Sequence, residues 1–406
     1  MARRAEFLVG LDPGTTCVTA VVARPREDSF EVVGVGTAPS AGIRGGVVVN
    51  VEPAAGAVSR AVHEAEVMAG CEIHSVFVGV GGRHVRGWNS HGVVAVRGRE
   101  VERSDVERVL ETASAVALPP EERILHVLPQ HFVLDGRERV FDPVGMNGVR
   151  LEAYVHLVVA SWPSVENLRR CCERAGLHVA GVLGQPVASA EAVLADEERE
   201  LGVLVLDIGG GTTGVAVYRE GSLRHTAVLP WGGRHVTNDI AYGLKVSSRE
   251  AEILKRRHAT CRAREVDPEE SVEVSSVSGE PRFFARRKLA QIVEARMEEI
   301  FSLVRRHLRW AGVEPQDFPC GVVLTGGTAR LPGCEELGRD VLGAAVRVGR
   351  PLRAFGRPEV ETGPEFSTAV GLLRLASPGF GAGGAEDEGV FGKVRRRVAG
   401  WLREFF

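Results

Sequence analysis

Residues 204–218, LVLDIGGGTTGVAVY, read as a strand, a tight glycine turn and a second strand. Asp207 closes the first strand. Gly209, Gly210 and Gly211 allow close backbone approach and unusual φ, and Thr212 and Thr213 add hydroxyls. Successive backbone N–H groups in such a turn form a concave anion site, suited to a phosphate chain. Gly209, Gly211 and Gly214 also fit the dinucleotide spacing G-x-G-x-x-G. That fingerprint needs a helix directly after the glycines. Residues 214–218, GVAVY, alternate like a strand instead.

The pattern occurs twice. Residues 7–22, FLVGLDPGTTCVTAVV, repeat strand, D-x-G-T-T and strand, with Asp12 matching Asp207 and with Gly14, Thr15 and Thr16 in the turn. Two such hairpins imply an internal duplication. They are expected to face one another across a cleft, with phosphates between them and one aspartate on each side. Aspartates beside a triphosphate are the usual means of holding a hydrated Mg²⁺.

Composition allows two or more domains: 406 residues, 44% hydrophobic and 25% charged. The formal net charge of −3 gives no reason to expect nucleic acid. Seven cysteines show no metal-binding spacing, and twelve histidines form no HExxH. The cysteines fit a reducing cytoplasm with free thiols. Arg3 and Arg4 precede only the short apolar run Phe7–Leu11, which ends in Asp12, so no signal peptide is expected. No run approaches the roughly 20 apolar residues of a membrane span. No Walker A pattern occurs.

Along the chain, strands are expected at 6–11, 17–24, 31–38 and 75–81, with a helix over 52–69 between the last two. Residues 83–160 look like a small inserted α/β module. It would hold a short β segment at 92–96, a helix over 105–116 capped by Ser104 with Glu107 in the capping box, and strands at 124–128 and 151–160. Ser164 is expected to cap the next helix, and further helices are expected at 185–195, 232–242, 247–258, 288–310, 332–342 and 367–375.

The C-terminus carries a second signal. Residues 377–389, SPGFGAGGAEDEG, read as a flexible linker. On a helix over 390–406, Val390, Phe391, Val394, Val398, Trp401, Leu402, Phe405 and Phe406 share one face. Lys393, Arg396, Arg397 and Arg403 lie opposite. Aromatic and aliphatic on one side, basic on the other, is the pattern of a helix lying in an anionic membrane surface.

A third loop, residues 321–330 (GVVLTGGTAR), resembles the adenosine loop of the actin, Hsp70 and sugar-kinase superfamily. The order of hairpin, inserted module, second hairpin, adenosine loop, linker and basic amphipathic end resembles the FtsA family of bacterial cell-division proteins. Residues 126–136 (HVLPQHFVLDG), 142–153 (DPVGMNGVRLEA), 223–233 (LRHTAVLPWGG), 271–279 (SVEVSSVSG) and 367–373 (STAVGLL) carry it further.

The resemblance implies an α/β, actin-like fold: duplicated ribonuclease-H-like domains around a nucleotide cleft, an inserted small α/β subdomain and a C-terminal amphipathic helix. On that plan, 1–84, 161–200 and 362–376 form the first half and 85–160 the insert. Residues 201–361 form the second half, with 243–310 as its own inserted subdomain, followed by the linker 377–389 and the helix 390–406.

The resemblance also implies ATP with Mg²⁺ and at most weak hydrolysis. Gly14, Thr15, Thr16, Gly209, Gly210, Gly211, Thr212 and Thr213 should hold phosphates, and Asp12 and Asp207 should face the metal through water. Gly326 and Gly327 should back the adenosine, Glu252 and Lys255 should approach the ribose or base, and Gln185 falls where a water-orienting residue sits. Implied partners are further copies in a filament, the C-terminal peptide of the tubulin-like protein FtsZ, other division proteins and the anionic inner face of the cell membrane. Arg282, Arg286 and Arg296 form a candidate basic face for that peptide. Two other readings share the loops. A sugar kinase or phosphatase needs a base aspartate with its own motif in the cleft, which is not found. A cytoplasmic pilus-assembly ATPase is expected to lack the amphipathic tail.

Overall fold

Strands β1 (Leu8–Pro13), β2 (Cys17–Pro25) and β3 (Phe30–Pro39) form an antiparallel meander whose apolar residues point into the core. The computed structural model describes residues 7–26, 29–137, 139–275 and 281–377. A small hairpin, β4 (Ile43–Arg44) and β5 (Val47–Val48), leads into α1 (Val51–Ala69). The helix buries Ala54, Ala57, Val58, Ala61, Val62 and Ala65 at helical spacing. Small residues on that face let α1 press on β3, and it stops at Gly70, whose left-handed φ of 65° suits glycine. β6 (Ser75–Val80) then returns beside β1 in parallel.

The insert follows as β7 (Arg86–Ala95), α2 (Arg103–Ser114), β8 (Glu122–Leu134), β9 (Arg139–Val140) and β10 (Arg150–Ser161). Three expectations need correction here. β7 covers ten residues rather than the short 92–96 segment. β8 runs on through Pro129 to Leu134, because a bulge in the β8–β10 register at Gln130 accommodates a proline that cannot donate to the ladder. α2 begins at Arg103 after Glu102, not after Ser104. The Asp105 carboxylate accepts the Glu102 backbone N–H at 3.0 Å, so Asp105 rather than Glu107 closes the cap.

The chain continues through α3 (Trp162–Arg174), β11 (His178–Gly184), α4 (Gln185–Val193) and α5 (Asp196–Leu201). α3 starts two residues before the expected cap Ser164. Pro163 sits in its first turn, where its missing N–H is no loss.

The second half repeats the first. β12 (Val203–Ile208), β13 (Thr213–Arg219) and β14 (Ser222–Leu229) form a meander. Then come α6 (Gly233–Leu244), α7 (Ser248–His258, capped by Ser247), β15 (Ser271–Ser275), β16 (Pro281–Ala285) and α8 (Arg286–Trp310). The described residues close with β17 (Val322–Thr325), α9 (Cys334–Leu342), β18 (Val346–Val348), β19 (Ala354–Phe355), α10 (Pro358–Thr362) and α11 (Ser367–Ala376). β14, β15 and β16 were not among the expected strands.

The two sheets expose the duplication. One has the order β11-β6-β1-β2-β3-β19, and the other contains β18-β17-β12-β13-β14. In each, an antiparallel meander is followed by two parallel strands. The insert strands continue the second sheet as β7-β10-β8-β9, joined through a single pairing of Ala227 with Arg86. One core fills the first half and continues onto one face of the second half's sheet through Val203, Val205, Ala216 and Val323, a second core lies within the second half, and a third lies between α2 and the insert strands.

The expected linker beyond Ser377 and the expected helix 390–406 lie outside the described residues.

α4 and α11 cross at Gly371, where a Cβ would overlap the Ala188 carbonyl and lie 3.0 Å from the Ala188 Cα. Alanine normally gains about 1 kcal/mol over glycine in a helix. Here backbone stands in its way, and overpacking costs about 1–3 kcal/mol. Gly371→Ala should therefore lower the urea midpoint at an unchanged slope. A midpoint equal to or above wild type would show that the crossing can relax.

Candidate functional site

The tips of the β1–β2 and β12–β13 hairpins meet. A Cβ on Gly210 would overlap the Thr16 hydroxyl, and one on Gly211 would lie 2.6 Å from Thr15 Oγ1. Each turn is closed by its own backbone: Gly14 N–H donates to Asp12 O at 3.1 Å, and Gly209 N–H to Thr212 O at 2.9 Å. Gly46 N–H, from the β4–β5 hairpin, donates to Thr15 Oγ1 at 3.1 Å and steadies the first turn. Thr213 is placed differently from the other threonines. Its side chain is buried and its hydroxyl donates to Trp231 O at 2.8 Å, so it anchors the loop rather than facing a ligand.

Beneath the tips lie the two carboxylates, each held by a donor from far along the chain. Gln185 Nε2, at the start of α4, donates to Asp12 Oδ1 at 2.7 Å. Thr368 Oγ1, at the start of α11, donates to Asp207 Oδ2 at 3.0 Å. Burial, together with the charge of Asp207, pushes Asp12 up to about 7, against the Gln185 hydrogen bond. Burial raises Asp207 as well, opposed by hydrogen bonds from Thr368 and Ser189. Two withdrawn carboxylates that repel one another favour a shared cation. Among the described residues no group of three or more His, Cys, Asp or Glu could hold a metal. Two hard oxygen donors suit an ion that keeps most of its water and takes the rest of its shell from phosphate, as Mg²⁺ does.

The third loop closes the site. Gly326 has φ 82°, and a Cβ there would crowd Asp207 and lie 2.7 Å from Ile208 O. Gly327 follows it into a short turn. Thr328 Oγ1 donates to Gly209 O at 2.9 Å, tying this loop to the second hairpin. The start of α6 joins them, with Gly233 N–H donating to Gly209 O at 2.9 Å. Glu252 and Lys255 stand on the next wall. Lys255 Nζ lies 2.7 Å from Glu252 Oε2, 2.9 Å from Thr237 Oγ1 and 3.2 Å from Gly233 O. Burial pushes the lysine down from its ordinary value while Glu252 opposes the shift.

The structure thus gathers Asp12, Thr15, Thr16, Gln185, Asp207, Gly209, Gly210, Gly211 and Gly326, with Glu252 and Lys255 flanking them beside Gly233. Sequence reasoning missed Thr368, Ser189 and Thr328. Thr368 had a signal, since a Ser-Thr pair opens the apolar helix at 367–376.

The expected basic face is less basic than its composition. Arg286 pairs with Glu270 at 2.8 Å and donates to His258 O at 2.9 Å. Arg296 pairs with Asp239 and Glu299. Arg282 is exposed, over the Phe284 ring at 5.1 Å and next to Phe283, which is 68% exposed.

Residues 204–371 match the family model described as cell division protein FtsA, and residues 82–159 match the SHS2 domain inserted in FTSA. The chain is 47% identical over 370 residues to cell division protein FtsA of Pseudomonas aeruginosa, covering 91% of this chain and 88% of that protein. It is 39% identical over 414 residues to the Escherichia coli K12 protein of the same name, covering 99% and 98%. Among solved structures it is similar to the PilM-PilN type IV pilus biogenesis complex (TM-score 0.64, 18% identity, 91% of this chain and 98% of that chain). It is also similar to MreB5 of Spiroplasma citri bound to ADP (TM-score 0.52, 13% identity, 91% and 96%). At such identities these structures speak for the fold alone, which is actin-like.

Gly210 has no left-handed backbone to defend, so a side chain there acts through its contact with Thr16. Gly210→Val should part the two loops and weaken binding of labelled ATP at least tenfold, about 1.4 kcal/mol or more. Equal affinity of mutant and wild type would remove the facing loops from the binding site.

Proposed function

The chain belongs to the FtsA family of cell-division proteins, and on that premise we propose that it is an ATP-binding adaptor that polymerises on the inner face of the cytoplasmic membrane and ties filaments of FtsZ to it. The observation that carries the nucleotide half of this reading is the meeting of two glycine–threonine turns over a pair of facing carboxylates. The ADP held by MreB5, an actin-like fold neighbour, supports it by analogy of fold. The domain plan set out from the sequence is part of the proposal: a first half from 1–84, 161–200 and 362–376, an insert over 85–160, and a second half over 201–361 with its own insert at 243–310.

In the cleft, backbone N–H groups of the Gly14–Thr16 and Gly209–Thr212 turns would hold the phosphates, other than those of Gly14 and Gly209, which close the turns themselves. Asp12 and Asp207 would take a hydrated Mg²⁺, which when bound neutralises charge on the phosphates and on the two carboxylates. Gly326 and Gly327 would back the adenosine, and Glu252 with Lys255 would border the sugar or base. Gln185 keeps its amide nitrogen on Asp12, so its first task is to orient that carboxylate. Orientation of a water would fall to its oxygen, and hydrolysis would be weak at most.

The membrane half of the proposal rests on the sequence of residues 390–406. Among the described residues no helix is long and apolar enough to cross a membrane. Trp401, Leu402, Phe405 and Phe406 would enter the interface, each contributing up to about 1.5–3 kcal/mol. The basic residues opposite them would add attraction that falls with salt. One such helix binds reversibly, and polymerisation multiplies its hold by avidity. For the FtsZ peptide, Arg282 with its exposed aromatic neighbour is the better contact, because Arg286 and Arg296 already answer carboxylates of their own chain.

Co-sedimentation with anionic vesicles tests the tether. Wild type should pellet, while Trp401→Glu with Phe405→Glu, and a chain ending at Glu388, should stay in solution. Three identical sedimentation profiles would refute the membrane role. For the partner, Arg282→Glu should weaken binding of an FtsZ C-terminal peptide about tenfold and Arg286→Glu should act chiefly on stability; the reverse outcome would relocate the contact.

A further inference from the structure

The insert reaches the cleft through one buried ring. His126, in β8, is 5% exposed. Its Nε2 accepts a hydrogen bond from Gly184 N–H at 2.9 Å. Gly184 is the last residue of β11 and stands immediately before α4, in extended geometry with φ −68° and ψ 123°. The next residue, Gln185, donates to Asp12. An imidazole, a backbone N–H, a side-chain amide and a cleft carboxylate therefore form one continuous run.

Physical reasons make this contact more than packing. The N–H groups at a helix start have no partner within the helix, and α4 has no side-chain cap of its own. An enclosed N–H that loses its acceptor is the costly side of a hydrogen bond. The acceptor here comes from a different structural module, so α4 cannot shift its first turn without breaking with the insert. Burial pushes His126 down to about 4. At neutral pH the ring is uncharged, and Nε2 presents a lone pair. Val158, which pairs with His126 across β10 and β8, lies 3.5 Å from where a Gly184 Cβ would stand, so both insert strands pack against Gly184.

The insert is anchored on the other half as well. His156 Nε2 lies 3.0 Å from Thr226 Oγ1 of β14, and its Nδ1 lies 2.6 Å from Asn89 Oδ1 of β7. Gln130 Nε2 donates to Leu223 O at 2.8 Å. The module is thus held against the sheet that carries Asp207 while it grips the helix that holds Asp12.

We propose that His126 is a positioning residue, through which the insert sets the first turn of α4 and thereby the Gln185–Asp12 pair. This rests on the reading of the cleft as a Mg²⁺–nucleotide site. A displacement of the insert relative to the first half would then be felt at Asp12, with no contact between the insert and the nucleotide.

The test is a cycle of Mg²⁺–ATP titrations on the full chain. His126→Met replaces the imidazole nitrogen with a thioether, at most a weak acceptor, at nearly constant volume, and His126→Gln restores an oxygen acceptor at about the reach of Nε2. His126→Met should bind about fivefold more weakly, the size of one lost hydrogen bond, and His126→Gln should stay within about twofold of wild type. Gln185→Ala should weaken binding by itself, and adding His126→Met to it should do nothing more, since the ring acts through Gln185. Wild-type affinity in His126→Met, or losses that multiply in the double mutant, would overturn the inference. Should His126→Met be recovered unfolded, His126→Asn, whose amide stops short of the Gly184 N–H, takes its place with the same expected outcomes. A wild-type chain that binds no ATP would refute the cleft reading itself, which a normal wild type with an indifferent His126 variant would leave standing.

Discussion

Two aspartates, one at the end of each half's first strand, stand partly withdrawn from solvent and near enough for the charge of Asp207 to act on Asp12. Burial and the charge of Asp207 raise Asp12 to about 7. Burial makes the charged form of each carboxylate less favourable, a cost that a proton or a nearby cation relieves. Most other features of the cleft serve that constraint. Gln185 and Thr368 point donors at the two groups, and Gly326 brings the third loop against Asp207 without a side chain in the way.

Those two donors sit at the starts of α4 and α11, which pack closely at Gly371 and Ala188. The carboxylates therefore depend on a helix pair as much as on the loops. Farther along the same helices, Glu191 and Arg374 face each other as a buried ion pair, 5% and 3% exposed, with Arg199 also on Glu191. Breaking one side of a buried pair leaves a charge without compensation. The pair thus resists sliding of one helix along the other.

The insert is joined to this machinery from the side. Its strands extend the second half's sheet, yet its strongest approach to the cleft is across the molecule, to the start of α4. The basic face of the second half shows the opposite lesson. Arginines that look available in sequence are tied to Glu270, Asp239 and Glu299, so composition overstated the charge a partner would meet.

Much of the fold was legible because its signals are local. The alternating strands around Asp12 and Asp207, the glycine–threonine turns, the small-residue face of α1 and the repetition of the hairpin all follow from neighbours in the chain. The strand expected at 124–128 stopped short, because the bulge that carries β8 past Pro129 is formed with β10, more than twenty residues away. The cap of α2 went to Asp105, whose side chain reaches the Glu102 N–H. What the sequence determined by itself was the pair of phosphate-type turns, their duplication and the amphipathic pattern of residues 390–406. The family resemblance pointed to Gln185, but only tertiary structure showed which carboxylate it holds and brought in Thr368 and His126. Gln185 lies 173 residues from Asp12, Thr368 lies 161 from Asp207, and His126 lies 58 from Gly184. Periodicity and turn chemistry act over a few residues, whereas a hydrogen bond across such separations exists only once the sheets and helices have packed.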